Sequence, residues 1–579
     1  MKSTTLTAAT TAAALSSFLL PTSSLSAAPP ASARPNILII LADDMGYSDL
    51  GCYGGEIHTP ALDKLAAQGL RFTQFYNGAR CCPSRAALLT GLYAHQAGMG
   101  AMTKDQHLPG YTGALNENCM TIAEMLRPAG YATYALGKWH VSHDETDTKN
   151  LPPKRGFDHC YGTAAGAGSY FYPTPLYRDT KFITRDTDPD YHPSRYYYTD
   201  AITDNAIKYL QDLQRENTAA ASASPSAPAK PFFMYVAYTA AHWPMQALPE
   251  DIAKYKGRYD EGYNAIRAER YKNELALGLF TPQTKLSPPD NHGWNNVKNR
   301  AWEIRCMEVY AAIVDRMDQG IARIVEQLKA SGQLDNTIIF FLQDNGACAE
   351  LIGRSEKEKP HKDSSGHLTR RGPGVMPGPE DTFISYGRQW ANVSNTPLRL
   401  YKSWVHEGGI STPLIVHWPA GIPAALDGTF IRTPGHIIDI AATCLDLAGA
   451  PYPATRNGKP LVPLAGISLR PAFTGGTFTR AAPLYWEHEG NRAIRDGDWK
   501  LVAKGPRAAW ELYDMSTDRS EGNNLAARNP DTVARLSAEW EKWAIADHVK
   551  PWPWAKGASK SASKSAKTPQ PEEQTDPDD

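Results

Sequence analysis

The sequence predicts an α/β protein. A large, mostly parallel or mixed central sheet is flanked by helices and followed by a small antiparallel sheet with one helix. Two observations predict this architecture. Short, uniformly apolar runs, the mark of strands buried on both faces, alternate with helical patterns over several hundred residues. From about residue 481, short alternating runs replace them, as is typical of antiparallel strands.

The apolar runs predict the strands of the large sheet, and the patterns between them predict its helices. Each run is short and uniformly apolar, which favours a parallel sheet covered on both faces. We therefore expect a sandwich with helices on both sides of one sheet. The runs are Ile37–Leu41, Phe232–Tyr238, Ile338–Leu342 and Leu414–Trp418, and two of the helical patterns are Ile122–Leu126 and Val309–Leu328.

The small sheet is predicted from four runs near the C-terminus. The second and third are joined by Arg495-Asp496-Gly497-Asp498, in which Asp-Gly is a hairpin signal. A helical stretch at Thr532–Ala546 completes this unit. The runs are Leu484–Trp486, Arg492–Arg495, Trp499–Val502 and Glu511–Tyr513.

These patterns divide the chain into four parts. Residues 556–579 are rich in Lys, Ser and Ala and then acidic and Pro-rich, a composition that predicts disorder. The parts are a signal peptide (1–33), a large domain (34–480), a small antiparallel subdomain (481–555) and a disordered tail (556–579).

Three segments of the large domain are predicted to be loops. An Ala/Ser/Pro run at Ala219–Lys230 predicts a disordered surface loop. Two long polar insertions, Tyr255–Asn299 and Gly353–Gln389, are candidates for loops that face a substrate.

The N-terminus has the features of a secretory signal. Lys2 gives a positive start, a modestly apolar run follows, and small residues lead to Ala31-Ser32-Ala33, which predicts cleavage near Ala27 or Ala33. The alternative is a disordered tail. The run is too short and too rich in Ser and Thr to span a bilayer, and no later segment is predicted to do so. We therefore expect a secreted or periplasmic protein that is soluble and makes no stable membrane insertion.

Charge and cysteine usage exclude several functional classes. The formal net charge is -1, so no global field attracts nucleic acid or an anionic membrane. Eight cysteines in 579 residues do not make a disulfide framework. No C-x-x-C pair is present, which argues against a cysteine-built zinc or redox site. Any anion must therefore be bound by a local site.

Two pairs of oxygen ligands follow predicted strands. Asp43-Asp44 comes just after the first apolar run, and Asp344-Asn345 comes after the run Ile338–Leu342. Ligands of open α/β sheets bind beyond the carboxyl ends of the strands, and adjacent carboxylates repel each other unless a cation neutralises them. Oxygen ligands suit a hard cation such as Ca²⁺ or Mg²⁺. The alternative is that each pair is a turn or a helix cap.

A cysteine pair lies at a predicted helix start. In Arg80-Cys81-Cys82-Pro83-Ser84-Arg85, the Pro and Ser suit the first turn of a helix, so Cys81 is expected near the N-terminus, where the helix dipole favours negative charge. Arg85 lies one turn further on. The residues alone leave three alternatives open: a thiolate of low pKa, a buried cysteine pair or a vicinal disulfide.

These residues resemble the sulfatase family. C-x-P-S-R followed by a short apolar helix and Thr-Gly, here Cys81–Arg85 and Thr90-Gly91, is the signature of that family. Five further blocks match in the family's order, so the resemblance spans roughly Pro35 to Ala546. They are Pro35-Asn36 through Asp43-Asp44, Gly130–Thr133 through Gly137–His140, Ala241–Pro244, Asp344-Asn345, and Lys402 ahead of His406–Gly409.

The resemblance implies an alkaline-phosphatase-like fold and an arylsulfatase-type enzyme that releases inorganic sulfate from a sulfate monoester. In that family the first cysteine of the signature is oxidised to Cα-formylglycine by a formylglycine-generating or equivalent maturation enzyme, and the aldehyde hydrate is the nucleophile. The corresponding residue here is Cys81. The implied cofactor is one Ca²⁺, or alternatively Mg²⁺, and its implied ligands are Asp43, Asp44, Cys81, Asp344 and Asn345.

The resemblance also implies roles for the remaining site residues. Lys138 and Lys402 would hold sulfate oxygens as point charges, and Arg85 would hold the hydrate. His242 would donate a proton to the leaving alcohol or otherwise contact the sulfate, and His140 would assist the final release of sulfate. Each residue taken singly has a structural alternative, such as a solvated lysine or a hydrogen-bonded histidine; the joint pattern carries the prediction.

Two departures from the family pattern concern maturation. Arg80 precedes the key cysteine where many relatives carry an apolar residue, and Cys82 could compete for Cys81 in a disulfide.

The roles of two other motifs stay open. Glu407-Gly408-Gly409, with His406 before it, could support a loop through a close backbone approach. The Tyr-rich segments Tyr170–Tyr177 and Tyr196–Tyr198 could stack on a substrate ring or pack in the core.

The sequence leaves the substrate and two rival functions open. The substrate could be a sulfated small molecule, such as an aryl or choline sulfate, or a sulfated carbohydrate. One rival is a phosphomonoester or phosphonate monoester hydrolase on the same fold; lysines around one metal favour sulfate over it. The other is a non-catalytic protein that binds sulfated glycans, against which Cys81, Arg85, Lys138 and His242 all argue.

Overall fold

A computed structural model describes residues 34–142, 148–226, 228–290 and 293–553, together with Met1. The predicted signal segment beyond Met1 and residues 554–579 lie outside the described residues, so the signal peptide and the disordered tail stay predictions. Among the helices that are described, none combines the length and the apolar character needed to cross a bilayer.

The described residues form nineteen strands and twelve α-helices. The strands are β1 (Asn36–Ala42), β2 (Leu70–Tyr76), β3 (Ala132–Lys138), β4 (His159–Thr163), β5 (Leu176–Arg178), β6 (Lys181–Ile183), β7 (Phe232–Ala237), β8 (Thr337–Gln343), β9 (His361–Lys362), β10 (Leu368–Thr369), β11 (Ser411–His417), β12 (Thr429–Ile431), β13 (Gly435–His436), β14 (Thr455–Arg456), β15 (Lys459–Pro460), β16 (Leu484–His488), β17 (Asn491–Asp496), β18 (Trp499–Ala503) and β19 (Glu511–Asp514). The helices are α1 (Pro60–Ala67), α2 (Cys81–Thr90), α3 (Ile122–Leu126), α4 (Tyr198–Ala223), α5 (Pro249–Ala253), α6 (Tyr263–Ala276), α7 (Arg300–Ala330), α8 (Gly387–Ser394), α9 (Glu407–Ile410), α10 (Asp439–Ala448), α11 (Arg470–Phe473) and α12 (Pro530–Ala546).

An eleven-stranded sheet forms the centre of the large domain. Its order is β12-β2-β11-β8-β1-β7-β3-β4-β5-β6, with β13 also paired to β2. The run β8-β1-β7-β3-β4 is parallel throughout, whereas β11 pairs antiparallel with both β8 and β2. The sheet is therefore mixed around a parallel centre. The carboxyl ends of β8, β1, β7 and β3 meet along one edge, which is where open α/β sheets bind ligands.

Helices cover both faces of this sheet, as the uniformly apolar strands predicted. In β1, Leu38 and Ile40 join a core with α1, α4 and α7, while Ile37 and Ile39 join a second core with α2, α3 and α10. All four side chains are fully buried. A central strand with both faces covered needs apolar residues at every position, which explains the absence of alternation.

The C-terminal unit is a four-stranded antiparallel sheet in the order β16-β17-β18-β19. Its alternating pattern separates two faces. Tyr485 and Ile494 pack with Trp540 of α12, whereas Trp486 and Val502 pack with Tyr76 of the large domain. The predicted small sheet and its single helix are both confirmed, and Gly497 takes the positive φ of 59° that the predicted turn requires.

The structure differs from expectation at two places. Disorder was expected over Ala219–Lys230, but α4 continues to Ala223, because alanine has the highest helix propensity of all residues. The insertion Tyr255–Asn299 was expected to be a loop, but it contains the 14-residue helix α6. Of the two roles left open for the Tyr-rich segments, core packing is favoured, because the tyrosines at 170, 177 and 196–198 are buried.

Candidate active site

The predicted oxygen ligands meet at the carboxyl edge of the parallel strands. Asp43 and Asp44 follow β1, and Asp344 and Asn345 follow the neighbouring strand β8. Lys138 ends β3, two strands away on the other side of β1. All five side chains are buried. The parallel register therefore brings together residues that lie up to about 300 positions apart in the chain.

Three buried oxygens of this cluster have no hydrogen-bond partner within the described part of the chain: Oδ1 of Asp43, Oδ1 of Asp344 and Oδ1 of Asn345. Leaving buried polar atoms unsatisfied is costly, and charged ones cost most. Three unpartnered oxygens, two of them on carboxyl groups, form a donor set that fits a hard divalent cation. Asp44 differs, because its Oδ1 accepts a hydrogen bond from Asn345 Nδ2 at 2.7 Å and its Oδ2 one from Lys402 Nζ at 3.0 Å.

The pKa values of Asp43 and Asp344 also favour a bound cation. Burial, together with the repulsion from Asp344, raises the pKa of Asp43 to about 7 even though Lys138 lies beside it. Burial also raises the pKa of Asp344 above its ordinary range. The charge of the surrounding cations thus falls short of stabilising both carboxylates, and a bound cation would supply the deficit.

Cys81 is the first residue of α2, and Arg80 before it is extended. The side chain of Cys81 is 2% exposed and lines a cleft. A hydrogen bond from Cys82 holds the pKa of Cys81 well below its ordinary value, and Lys138 and His140 add to this effect. The position favours a negative charge on the side-chain atom at residue 81.

Arg85 connects the start of α2 to the carboxylates. Its Nε and Nη2 both donate to Oδ2 of Asp344, at 3.0 and 2.8 Å, and Nη2 also lies 3.5 Å from Oδ2 of Asp43. Nη1 donates to the main-chain carbonyl of Lys138 at 2.9 Å. One guanidinium therefore holds the cysteine-bearing helix against the ends of β8, β1 and β3.

The two predicted lysines each neutralise one carboxylate of the cluster. Lys138 Nζ lies 2.6 Å from Asp43 Oδ2, and Lys402 Nζ lies 3.0 Å from Asp44 Oδ2. Both side chains are buried, and the carboxylates raise the pKa of each lysine despite that burial. Both lysines are therefore charged at neutral pH, and Lys402 lines the cleft.

The two predicted histidines also line the cleft. Nδ1 of His242 is 2.7 Å from the Trp243 carbonyl, and its Nε2 is 3.3 Å from both Lys402 Nζ and Asp44 Oδ2. His140 has a positive φ of 53°, and its Nε2 is 3.2 Å from Cys82 Sγ. Burial lowers the pKa of His242 and brings that of His140 to about 4, so both rings are neutral at pH 7.

Glu350 is a partly buried site residue that the sequence did not reveal. It accepts hydrogen bonds from Arg80 Nη1 at 2.9 Å and Trp243 Nε1 at 2.7 Å, and it lies 3.6 Å from Lys402 Nζ. Burial would raise the pKa of Glu350, but Lys402 and Arg80 hold it below its ordinary range. Its only sequence signal is its place shortly after Asn345, and its partner Arg80 was treated as a tolerated departure.

Glu407 belongs to the structural frame rather than to the cleft. Its Oε1 is 2.9 Å from Lys500 Nζ of β18, and both side chains are fully buried. A Cβ on Gly408 would lie 2.1 Å from the main-chain oxygen of Leu400, which is too close for any larger residue. This motif therefore supports the loop that carries Lys402, which is the role that its two glycines suggested.

The cleft above the cluster has a volume of about 230 Å³ and a basic lining. A segment of the predicted insertion Gly353–Gln389 forms part of its wall, whereas none of the described residues of Tyr255–Asn299 lines it. Its ionisable residues are Arg80, Cys81, His140, His242, His361, Lys362, Asp363, Arg371 and Lys402. This excess of cationic groups suits an anionic ligand.

Two family models match the chain. The model described as Sulfatase matches residues 35–450, and the model described as N-sulphoglucosamine sulphohydrolase, C-terminal, matches residues 399–543. The first covers the large domain up to α10, and the second covers the C-terminal sheet and most of α12.

Comparison with individual proteins also identifies sulfatases as relatives of this chain. The chain is 34% identical over 541 residues to an uncharacterised sulfatase of Schizosaccharomyces pombe, with 88% of this chain and 93% of the relative covered. It is 34% identical over 451 residues to an arylsulfatase of Klebsiella aerogenes, with 75% and 91% covered. The solved structure of Ps i-CgsB has a TM-score of 0.64 and 27% identity over 91% of this chain and 98% of that one, and that protein has also been solved in complex with k-i-k-neocarrahexaose.

Proposed function

This chain belongs to the sulfatase family and is a sulfuric ester hydrolase, and we propose that it acts on sulfated carbohydrates with a formylglycine nucleophile at position 81 and a bound calcium ion. One observation carries the proposal. The side chain at the mouth of α2, three unpartnered oxygens and two buried lysines converge below one basic cleft. A compact anion such as a sulfate group needs this concentration of positive charge.

The carbohydrate part of the proposal is supported by the complex of Ps i-CgsB with an oligosaccharide, because that protein is 27% identical over 91% of this chain. The arylsulfatase of Klebsiella aerogenes is also similar. An aryl sulfate is therefore a useful assay compound for this enzyme, and a sugar sulfate is the proposed natural substrate.

The nucleophile is proposed to arise by oxidation of Cys81. A formylglycine-generating or equivalent maturation enzyme would convert the thiol to an aldehyde, whose hydrate supplies two hydroxyl groups for attack on sulfur and later release of sulfate. Lys138 and the N-terminus of α2 stabilise negative charge at this position. Arg85 holds the residue against the carboxylates.

The metal is proposed to be Ca²⁺, with Mg²⁺ as the alternative. Asp43, Asp344 and Asn345 would hold it through their unpartnered oxygens, with Asp44 and the oxidised residue 81 beside them. The ion would supply Lewis-acid polarisation of a sulfate oxygen. Lys138 and Lys402 bind the other sulfate oxygens through their ammonium groups.

The leaving oxygen takes its proton from the Lys402 ammonium, which His242 holds in place and which regains a proton from water. His242 donates from Nδ1 to the Trp243 carbonyl, so its Nε2 is left to accept from Lys402 Nζ 3.3 Å away. Lys402 and His242 both line the cleft, so this proton is within reach of a bound ester. His140, which also lines the cleft, is neutral and can accept the proton that is lost when sulfate is released.

Sulfate release from a substrate panel tests the proposal. The panel is nitrophenyl sulfate, nitrophenyl phosphate, choline sulfate, and sulfated mono- and oligosaccharides, each assayed with wild type and Cys81→Ala. We expect release from sulfate esters by wild type alone, with the highest kcat/KM on a carbohydrate. A higher kcat/KM on the phosphate ester would favour the phosphomonoesterase. Binding without any turnover would favour the non-catalytic alternative. The protein is also proposed to be secreted or periplasmic. N-terminal sequencing of protein recovered from the periplasm or the medium tests this, and a mature chain that starts near Ala27 or Ala33 is expected.

A further inference from the structure

The cleft wall contributed by residues 361–371 carries cations that the catalytic cluster does not use. We call residues 361–369 the rim hairpin; in it, β9 pairs antiparallel with β10. His361, Lys362 and Asp363 of this hairpin line the cleft, and so does Arg371 just after it. The hairpin is anchored by the ring of His367, which stacks on Tyr172 with 3.8 Å between centroids.

The carboxylate on this hairpin is already engaged. Oδ1 of Asp363 accepts hydrogen bonds from the main-chain N–H groups of Ser365 and His367, both at 3.0 Å. These bonds close the turn between the two strands. Asp363 therefore acts as a turn residue, and its carboxylate is held within the hairpin rather than paired with the nearby cations.

Arg371 and Lys362 are the cleft cations that are paired most weakly inside the protein. The Arg371 side chain is only 11% exposed and its Nη1 lies 3.6 Å from Glu358, yet its Nε has no hydrogen-bond partner among the residues that the structure describes. Its guanidinium also lies 4.7 Å from the centre of the Phe383 ring. No carboxylate lies within 4 Å of the Lys362 ammonium among the residues that the structure describes. A buried N–H without a partner is costly, and an anionic ligand would satisfy it.

The other cleft cations differ, because they are paired at shorter distances inside the protein. Lys402 lies beside Asp44 and Glu350, and Arg80 beside Glu350. Positive charge thus occurs in two places along one cleft: at the reaction centre, where carboxylates and a proposed sulfate share it, and at the rim hairpin, where Lys362 and Arg371 have little to neutralise them.

We propose that Lys362 and Arg371 form a second anion subsite, which binds a further sulfate or carboxylate group of the substrate while the scissile sulfate occupies the reaction centre. The proposal rests on the proposed function and narrows the substrate to glycans that carry at least two anionic groups. Arg371 supplies a planar fork that suits either anion, and Lys362 adds a point charge beside it.

Binding to the inactive full-length Cys81→Ala protein tests the subsite without relying on turnover. Calorimetry with saturating Ca²⁺ would compare three probes: glucosamine 6-sulfate, glucosamine 2,6-disulfate and a monosulfated disaccharide that contains a uronic acid. We expect at least one of the two probes with an additional anionic group to bind about tenfold or more tightly than the monosulfate. Preference for the disulfate identifies a second sulfate as the ligand, and preference for the uronate identifies a carboxylate.

Substitutions at two positions test whether Lys362 and Arg371 cause the tighter binding. In the Cys81→Ala background, Arg371→Gln or Lys362→Gln should remove most of the preference for the additional anion, and Arg371→Lys should retain part of it. Arg370→Gln is the matched control, because Arg370 pairs with Asp381 at 2.6 Å, is half exposed and is not a cleft residue. Lys362 is exposed, so its substitution should leave folding unaffected and keep the test valid if Arg371→Gln is unstable.

Equal affinity for all three probes would overturn the proposal, and so would an equal effect of Arg370→Gln and Arg371→Gln. Sulfate release by the wild type is measured separately. A protein that shows the binding preference but releases no sulfate would contradict the proposed function and leave the subsite standing. A protein that releases sulfate from every probe with no preference would contradict the subsite alone.

Discussion

Arg85 donates two hydrogen bonds to one oxygen of Asp344, from Nε at 3.0 Å and from Nη2 at 2.8 Å, and both side chains are fully buried. Arg85 lies one helical turn after Cys81 in α2, and Asp344 follows β8. This contact therefore sets the distance between the nucleophile position and the oxygens that are proposed to hold the metal. Substitutions of Arg85 should therefore lower both the free energy of unfolding and the rate of sulfate release, and different substitutions should affect the two to different extents.

Arg85→Ala should cost about 3–5 kcal/mol in the free energy of unfolding, because two buried carboxylates lose their shared cation. Arg85→Lys keeps the charge but not the fork, so we expect a smaller loss of stability and a fall of at least about 100-fold in kcat. Denaturant unfolding and sulfate release measure the two effects. The control is Arg535→Lys at an exposed ion pair with Asp496. Turnover of Arg85→Lys at the wild-type rate would contradict the positioning role.

Oxidation of Cys81 should be visible as a mass change. Conversion of the thiol to an aldehyde lowers the mass by about 18 Da. Cys82 in the same peptide is the internal control, because it should keep its thiol and react with an alkylating reagent. Peptide mass spectrometry of the active enzyme checks both. A fully active enzyme with unmodified Cys81 would exclude formylglycine as the nucleophile, and a disulfide between the two cysteines should accompany an inactive fraction.

Removal of the proposed metal ion should destabilise the protein, because Asp43 and Asp344 then repel each other in a buried site. At a free Ca²⁺ concentration of 100 times Kd, the bound ion should add about 2.7 kcal/mol to the free energy of unfolding. Elemental analysis and thermal unfolding, before and after chelation and after Ca²⁺ is restored, measure this effect.

Asp344→Asn should abolish both the metal content and the stabilisation by Ca²⁺, since Oδ1 of Asp344 is one of the three unpartnered oxygens. Asp381→Asn removes a carboxylate that pairs with Arg370 away from the cluster, so it should keep the wild-type response. An equal response of the two variants to Ca²⁺ would place the ion elsewhere.

His436 should contribute a loss of stability as the pH falls below about 6.5. Burial, with the nearby charge of Arg480, holds the pKa of His436 well below its ordinary value of 6.5, so this histidine is neutral in the folded state. The unfolded chain protonates it below about pH 6.5 and binds more protons there, so the free energy of unfolding decreases with acidification. The loss from this one residue reaches up to about 2 kcal/mol at pH 5.

His436→Gln tests that origin directly. The variant should be less stable at pH 7, because a buried ring is lost, but the difference between pH 7 and pH 5 should shrink relative to wild type. Denaturant unfolding at the two pH values gives this difference. An unchanged difference would assign the acid sensitivity to other groups, among them the buried His488, whose pKa burial also lowers.

Four strands of the central sheet and the four strands of the small sheet were predicted from local sequence pattern, whereas the other seven strands of the central sheet were not. Ile37–Leu41 and Ile338–Leu342 lie inside β1 and β8, and the four C-terminal runs lie inside β16 to β19. An apolar run predicts a strand that is buried on both faces, because every residue in the run favours a buried position. The spacing C-x-P-S-R placed Cys81 at the first residue of a helix for the same local reason. The direction of β11, antiparallel to β8, was not encoded in such a run.

The sequence by itself determined that a cysteine starts a helix, that acidic residues follow two buried strands, and that both belong to one sulfatase-like set. The tertiary structure alone decided which charges pair. Arg80 and Glu350 are 270 positions apart, and Arg85 and Asp344 are 259 apart. Buried ion pairs depend on which strands become neighbours and on how much water they exclude. No local pattern encodes either quantity, so Glu350 and the cations at the rim hairpin became visible only in three dimensions.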